Sequence, residues 1–365
     1  MKIKEIVEGK TRLIVPTEGK PSKKSEVFFN PEMEFSRDIS VLIAKVLGPK
    51  NFCDALASTG ARGIRIANEV QCNVKLNDIN PKAVEIIKKN AFLNNLKVEI
   101  TQGDANSLLI NEKFDWVDID PFGSPIRFLD SALISVEHNG ILAVTATDTA
   151  ALSGTYPSSC LRKYSAFPLR TDYYNELGLR IFLGYLIRTA AKYEKSLEII
   201  FSHCTRHYYR AYAKVKKSKK RATLSLGEIK FIQHCFNCMN RELKELNELE
   251  EKCSCGAKFK NSGPIFSGKF ADGDLCKKIL KILNNENFKF MKQEMKLIRV
   301  IAEEQKITLP YYNLHKLFKK RKLSAKSMEE ISRSLNKSGF LFSRTHFSSI
   351  GIKTDAKVNE IYKVL

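Results

Sequence analysis

Between residues 51 and 146, apolar runs of strand length alternate with stretches of helical period. Residues 52–56 read as a buried strand, 58–63 as a tight turn around Gly60 and Gly63, and 64–69 as a helix. A second strand, VKLNDIN, ends at Asp78. Residues 81–94 follow as a Lys-rich helix, and 98–100 as a third strand running out into Gln102-Gly103-Asp104-Ala105. The fourth strand is 114–119, where Phe114, Trp116, Val117 and Ile119 interleave with Asp115 and Asp118 before Asp120-Pro121-Phe122-Gly123 breaks the run. His138-Asn139-Gly140 reads as the turn before a fifth strand, 141–146. This alternation predicts a doubly wound α/β sheet.

The flanks have other rhythms. Residues 1–35 hold KIKEIV and TRLIVP around Gly9-Lys10, the pattern of a small hairpin extension, and then a basic loop at 20–24. A helix is expected over 33–47; by pattern alone Phe28 and Phe29 ahead of it are core rings and Arg37 a solvated helix face. After the fifth strand, 147–169 is rich in Ser, Thr, Ala and Pro and reads as a substrate-facing loop, 177–193 as a helix and 197–215 as two strands. His203 and His207 receive no role. Residues 214–221, six of eight basic, close a first domain, 1–225, and leave a second, 226–365.

In the second domain Cys235-Phe-Asn-Cys238 and Cys253-Ser-Cys255 stand 14 residues apart around an expected acidic helix. Two close pairs are the arithmetic of a tetrahedral four-thiolate zinc knuckle, structural because it leaves no open position; four unbound thiols are the alternative. A basic helix is expected at 311–322, then a helix opened by the capping box Ser327-Met-Glu-Glu330 and closed by Gly339, then a hairpin at 340–352. That order is winged-helix-like, and 306–353 carries eleven Lys and Arg against only Glu329 and Glu330. It is the best candidate for a nucleic-acid-binding surface, with a basic packing domain as its rival.

Composition narrows the partner. The chain has 365 residues, 43% hydrophobic and 28% charged, enough for two cored domains. A net charge of +21 draws polyanions in a salt-dependent way, which makes nucleic acid the leading partner. The excess is shared, 34 Lys and Arg against 24 acids before Leu226 and 27 against 16 from there on. An anionic membrane is disfavoured because no lipidation motif or long basic amphipathic helix is evident. The opening MKIKEIVEGK lacks an apolar core, and the most apolar window, 177–191, contains Arg180 and Arg188 and is too short to span a bilayer. A cytoplasmic protein is expected, whose nine cysteines are buried or metal-bound rather than paired.

Asp120-Pro121-Phe122 offers an acceptor, a carbonyl on a rigid residue and a ring face, a set that suits a flat heterocycle carrying an amino group; a capped turn is the plainer reading. Asp78 lies about 20 residues beyond the glycine turn, where nucleoside-binding folds place the acid that grips ribose. Asp104 can meet an adenine edge, cap the following helix, or do both.

The set VFFNPEMEFSRD, DALASTGARG, NDINPKA, QGDANSLL and DIDPFGSP resembles the class I S-adenosylmethionine-dependent methyltransferases, and closely the tRNA guanine-26 dimethyltransferase family in an archaeal form. The likeness covers essentially the whole chain; IDPFGSP is its specific part, while DALASTGARG departs from the usual acidic-x-Gly-x-Gly loop. It implies a Rossmann-like sheet, tRNA as partner with no obligate protein partner, and S-adenosylmethionine contacted by Arg37, Arg62, Asp78, Asp104 and Ala105. Asp78 would hold ribose, Asp104 and Ala105 adenine, and the arginines the methionine carboxylate or its neighbours. Phe28 and Phe122 would sandwich the guanine, with Asp120 and the Pro121 carbonyl at its amino group. Three rivals remain: amino methylation of adenine or cytosine in another nucleic acid, a non-catalytic winged-helix regulator, and an NAD oxidoreductase, the last disfavoured by the missing GxGxxG and by the charge.

Overall fold

The computed structural model describes residues 2–17 and 25–365; the basic loop expected at 20–24 lies outside the described residues. An antiparallel hairpin, β1 (Ile3–Glu8) and β2 (Thr11–Pro16), comes first, turning through Gly9 at φ +55°. After α1 (Glu34–Leu47), strands β3 (Asn51–Asp54), β4 (Asn73–Asp78), β5 (Glu99–Gln102), β6 (Phe114–Ile119) and β7 (Val136–Ala146) alternate with α2 (Ala61–Val70), α3 (Pro81–Leu93), α4 (Ala105–Asn111) and α5 (Ile126–Ser135). The side-chain amides of Asn90 on α3 and of Asn94, its C-cap, pair with the backbone of Ile14 and Arg12, pinning the hairpin to the helix. Short α6 (Thr149–Leu152) and α7 (Pro157–Tyr164) lead to the long α8 (Tyr174–Ala191) and the hairpin β8 (Lys195–Thr205) and β9 (Tyr208–Lys217).

The seven strands form one sheet in the order β5-β4-β3-β6-β7-β9-β8. The first five are parallel; β9 runs antiparallel to both β7 and β8. Strand order reverses between β3 and β6, the switch point where ligands of such sheets bind beyond the carboxyl ends. One face of the sheet buries Leu109, Leu129, Leu133 and the apolar side of α8. The other buries Ile39, Leu42 and Ile43 of α1 with Ile64 and Ile87.

Several details differ from the sequence pattern: the stretch 147–169, read as a loop, carries α6 and α7, and the helix expected at 311–322 begins only at Leu314, after a short strand at Tyr312–Asn313. His138-Asn139-Gly140 is no turn: β7 runs through it, with Asn139 at φ +67° and a register shift opposite Phe114 and Trp116, so the residues form a bulge. Gly60 and Gly63, expected from the turn to let the backbone approach a ligand closely, are absent from the lining of the large cavity beyond the strand ends and serve packing. A Cβ on Gly63 would stand 2.8 Å from Leu76, and one on Gly60, at φ +74°, 3.1 Å from Leu76 and Ile87. The acidic segment between the cysteine pairs is a strand and a 3-10 turn, because Arg241–Lys244 pairs in antiparallel register with Ile229–His234. Alternate charges that mimic a helix period belong there to a sheet edge.

Beyond α9 (Lys219–Leu226), a three-stranded sheet of β10 (Ile229–His234), β11 (Arg241–Lys244) and β12 (Lys260–Phe266) packs on α8, and Ile232, Ile265 and Phe266 join the core of the large sheet. Helices α10 (Gly273–Leu283) and α11 (Met291–Glu304) cover α1. The last part holds α12 (Leu314–Arg321), α13 (Met328–Lys337) and α14 (Val358–Val364) around a small sheet of β13 (Tyr312–Asn313), β14 (Ser343–Thr345) and β15 (Ser348–Lys353). The capping box at Ser327 and Glu330 opens α13. Among the described residues no helix is long and apolar enough to cross a membrane.

Candidate active site

A cavity of about 790 Å³ opens at the carboxyl ends of β3, β4 and β6. Its lining includes Phe28, Arg37, Arg62, Asp78, Asp120, Pro121 and Phe122, so seven residues singled out in the sequence converge on one space. Asp104 and Ala105 are absent from that lining; Asp104 caps α4 by accepting from the Ser107 N–H at 3.0 Å, and Ala105 is buried.

Asp78 is aimed by backbone: its carboxylate accepts from the N–H groups of Ser58 at 2.7 Å and Asn80 at 2.9 Å. Ser58, held at φ +51°, donates from its hydroxyl to the Phe28 carbonyl, which ties the N-terminal segment to the β3–α2 turn. The rings of Phe28 and Phe122 touch edge to face. Arg37 is engaged by Glu8 through two bonds, at 2.7 and 2.6 Å, and lies over the Phe29 ring.

The charge at the end of β6 is a network. Asp118, fully buried, receives Arg210 of β9 through both oxygens, and the Arg62 Nε approaches it at 3.5 Å. Arg62 also donates to the Ser40 hydroxyl at 2.5 Å and pairs through Nη2 with Asp120. Arg210 donates to Thr145 at 2.8 Å. Burial pushes the Asp120 carboxyl up, but the guanidiniums of Arg62 and Arg210 outweigh it and hold the group below the ordinary carboxylate range. Asp54, buried beside these acids, goes the other way: desolvation first, then the negative charge of Asp118, raises it to about 7. Three acids therefore share two arginines, and Asp54 is the one whose carboxyl is pushed up.

Arg210 was not among the residues picked from the sequence. Its signal was a lone arginine inside an apolar strand, matched by a lone Asp118 between Val117 and Ile119; buried charges of opposite sign seek each other. Of the two histidines left without a role, His207 lines the cavity and His203 is buried, its Nδ1 2.7 Å from the Thr205 hydroxyl and its basicity lowered by burial.

The four cysteine sulfurs all lie within 4.8 Å of one another, with Cys235–Cys255 and Cys238–Cys253 each at 3.5 Å. That spacing is too long for a disulfide and close to the edge, about 3.8 Å, of a tetrahedron with zinc–sulfur bonds of about 2.3 Å. The set fits a structural zinc held by thiolates alone.

The family model of N2,N2-dimethylguanosine tRNA methyltransferase matches residues 9–365. A tRNA (guanine(26)-N(2))-dimethyltransferase of Methanosphaera stadtmanae is 38% identical, covering 99% of this chain and 96% of its own length; that of Pyrococcus abyssi is 35% identical over 100% and 99%. A solved structure of Trm1 from Pyrococcus horikoshii with S-adenosyl-L-methionine superposes with a TM-score of 0.89 at 36% identity, covering 99% of both chains.

Proposed function

The chain belongs to the N2,N2-dimethylguanosine tRNA methyltransferase family, and from that premise we propose how its cavity carries out the transfer. It is an S-adenosylmethionine-dependent tRNA (guanine(26)-N(2))-dimethyltransferase, moving two methyl groups to the exocyclic 2-amino group of guanosine 26. The single observation that carries the reading of the site is the meeting, in one cavity at the switch point, of Asp78 with Asp120, Pro121 and the two rings.

S-adenosylmethionine supplies a methyl already activated on a sulfonium. The protein must then supply alignment and a competent lone pair. The guanine amino nitrogen is a poor nucleophile because its lone pair is delocalised into the ring. In this proposal the Asp120 carboxylate and the Pro121 carbonyl accept its N–H bonds, favour pyramidal nitrogen and take up the developing positive charge. One N–H remains after the first transfer, which permits the second. Asp120, kept ionised by Arg62 and Arg210, accepts the proton that leaves the amino nitrogen as the methyl is transferred, and its lowered basicity returns that proton to solvent before the second round.

Asp78, with its carboxylate aimed by the Ser58 and Asn80 N–H groups, is the proposed ribose contact. Asp104 and Ala105 are proposed at the adenine through the β5–α4 turn, and Arg37 and Arg62 beside the methionine end. The buried base of tRNA is flipped out and taken up between Phe28 and Phe122. Residues 1–225 are proposed to carry the transfer and 226–365 to grip tRNA, with zinc on Cys235, Cys238, Cys253 and Cys255 keeping that part in shape. A cytoplasmic location fits nine cysteines with no disulfide among them.

The test is nucleoside analysis of tRNA treated with wild type and with Asp120→Ala. Dimethylguanosine is expected from the first and nearly none from the second; an active Asp120→Ala enzyme would remove Asp120 from the chemistry.

A further inference from the structure

The loop and helices after β7 are more than a cover for the sheet. Three large apolar side chains stand in solvent there: Tyr156 is 64% exposed, Phe167 59% and Leu161 42%. From residue 149 to 171 the chain has no acid, while Arg162, Lys163 and Arg170 are exposed. One carboxylate adjoins the stretch, Asp148, which pairs with Lys163 at 3.0 Å. A surface that otherwise sets aromatic rings beside cations matches the two needs of a nucleic-acid strand, stacking faces and charge for its phosphates.

The patch is held firmly and held to the catalytic loop. Thr147 exchanges hydrogen bonds with Gly123, its N–H donating to the Gly123 carbonyl at 2.9 Å and its hydroxyl accepting from the Gly123 N–H at 2.6 Å. The Tyr164 hydroxyl, at the end of α7, donates to Asp148 at 2.6 Å and receives Ser124 at 3.2 Å. Phe167 is fixed by its backbone, which pairs with Gly263 at 2.8 and 3.0 Å, while its ring stays outside. The segments bearing the two rings touch: a Cβ on Gly154 would meet the Leu169 carbonyl carbon at 3.0 Å, and Arg170 bonds Ser153 through its carbonyl and hydroxyl. Tyr156 lies two residues from Gly154 and Phe167 two from Leu169. A ring carried on a fixed backbone has only its own two torsions to order on binding, which makes it an efficient stacking platform.

We propose that Tyr156 and Phe167, with the exposed Arg162 on the helix between them in sequence, form a subsite for the tRNA nucleotides flanking the target guanosine. Extracting one base from the stack leaves its neighbours without a partner on one side. A platform tied to the Phe122 loop offers them a replacement face and thereby lowers the energy of the flipped state. The proposal rests on the tRNA methyl-transfer reading given above.

Steady-state kinetics on the full-length protein with transcribed tRNA test it. Tyr156→Ala and Phe167→Ala are each expected to raise KM for tRNA about tenfold, the effect of losing one stacked base. Binding of S-adenosylmethionine should not change, and Tyr156→Phe should restore KM, because stacking rather than the hydroxyl is used. Both side chains are exposed, and matching melting curves would exclude misfolding. Unchanged KM in both alanine variants, beside a wild type that makes dimethylguanosine, would overturn the subsite and leave the patch to another partner. A wild type that methylates no tRNA would instead sink the functional reading itself.

Discussion

The rings of Phe28 and Phe122 stand edge to face with centroids 4.1 Å apart and planes at 71°. A base between two parallel ring faces needs two contacts of about 3.5 Å each, so the rings must part and turn to admit it. Phe122 is 44% exposed and Phe28 is carried by a segment tethered through Ser58, so neither is locked by a core. Phe28→Ala should raise KM for tRNA about tenfold while S-adenosylmethionine binding persists, as befits loss of one stacking face. Equal kinetics in the variant would show that the closed ring pair never opens around a base.

Asp120→Asn keeps the shape of the side chain and removes its charge. It should lower kcat by about a hundredfold or more, the scale of losing one transition-state electrostatic partner, with folding intact. Because Arg62 and Arg210 depress the Asp120 carboxyl, the rate of wild type should not fall through Asp120 protonation until below the ordinary carboxylate range. A pH–rate profile with an acid limb that Asp120→Asn leaves in place would assign that limb to another group.

Asp54 makes the opposite contribution to stability. Its folded-state value is raised to about 7, so between about 4 and about 7 the native state holds a proton that the unfolded chain has released. Native protein binds more protons there, and this contribution to stability therefore falls as pH rises through the window. Asp54→Asn, which still accepts from the Gly63 N–H, should raise the melting temperature at pH 8 relative to wild type and do little at pH 4. A uniform shift at both values would count against a raised Asp54 carboxyl.

Metal analysis should find one zinc per chain, lost in Cys238→Ser. The local sheet of β10 to β12 then loosens, and tRNA affinity should fall further than affinity for S-adenosylmethionine. Stoichiometric zinc in a protein lacking two of the four thiols would place the ion elsewhere.

On α12 the last turn carries Lys319, Lys320 and Arg321 in solvent. Replacing all three with Ala should weaken tRNA binding and flatten the plot of log affinity against log salt by about two, as phosphate contacts are lost. An unchanged slope would mean the surface only packs.

Much of the frame was legible in the sequence because strands and helices of a parallel sheet differ in period. Phe114–Ile119 emerges with the expected ends, and β3, β4, β5, α2 and α3 lie within three residues of theirs, while β7 starts five residues earlier than expected and α5 was not anticipated. The position of Asp78 and Asp120 at the rim of the cavity was legible for the same reason: each ends an apolar run. What stayed hidden depends on pairing at a distance. Nothing in LEIIFSHCTRHYYRAYAKV says that its two strands add antiparallel to β7, yet that placement delivers Arg210 to Asp118 and, through Arg62, shapes the charge on Asp120. The engagement of Arg37 by Glu8 was hidden likewise, since the partner lies in the hairpin 29 residues earlier.

Helix α1 lies between the large sheet and α10, and Leu275, Cys276, Ile279 and Leu283 share its hydrophobic cluster. On a ribosome, α1 is made long before residue 275. The nascent sheet must therefore wait with one oily flank bare, a period in which a chaperone or a neighbouring nascent chain competes for it. A fragment halted at residue 225 would keep that flank for good and should be recovered in aggregates, whereas one reaching past Glu304 can bury it.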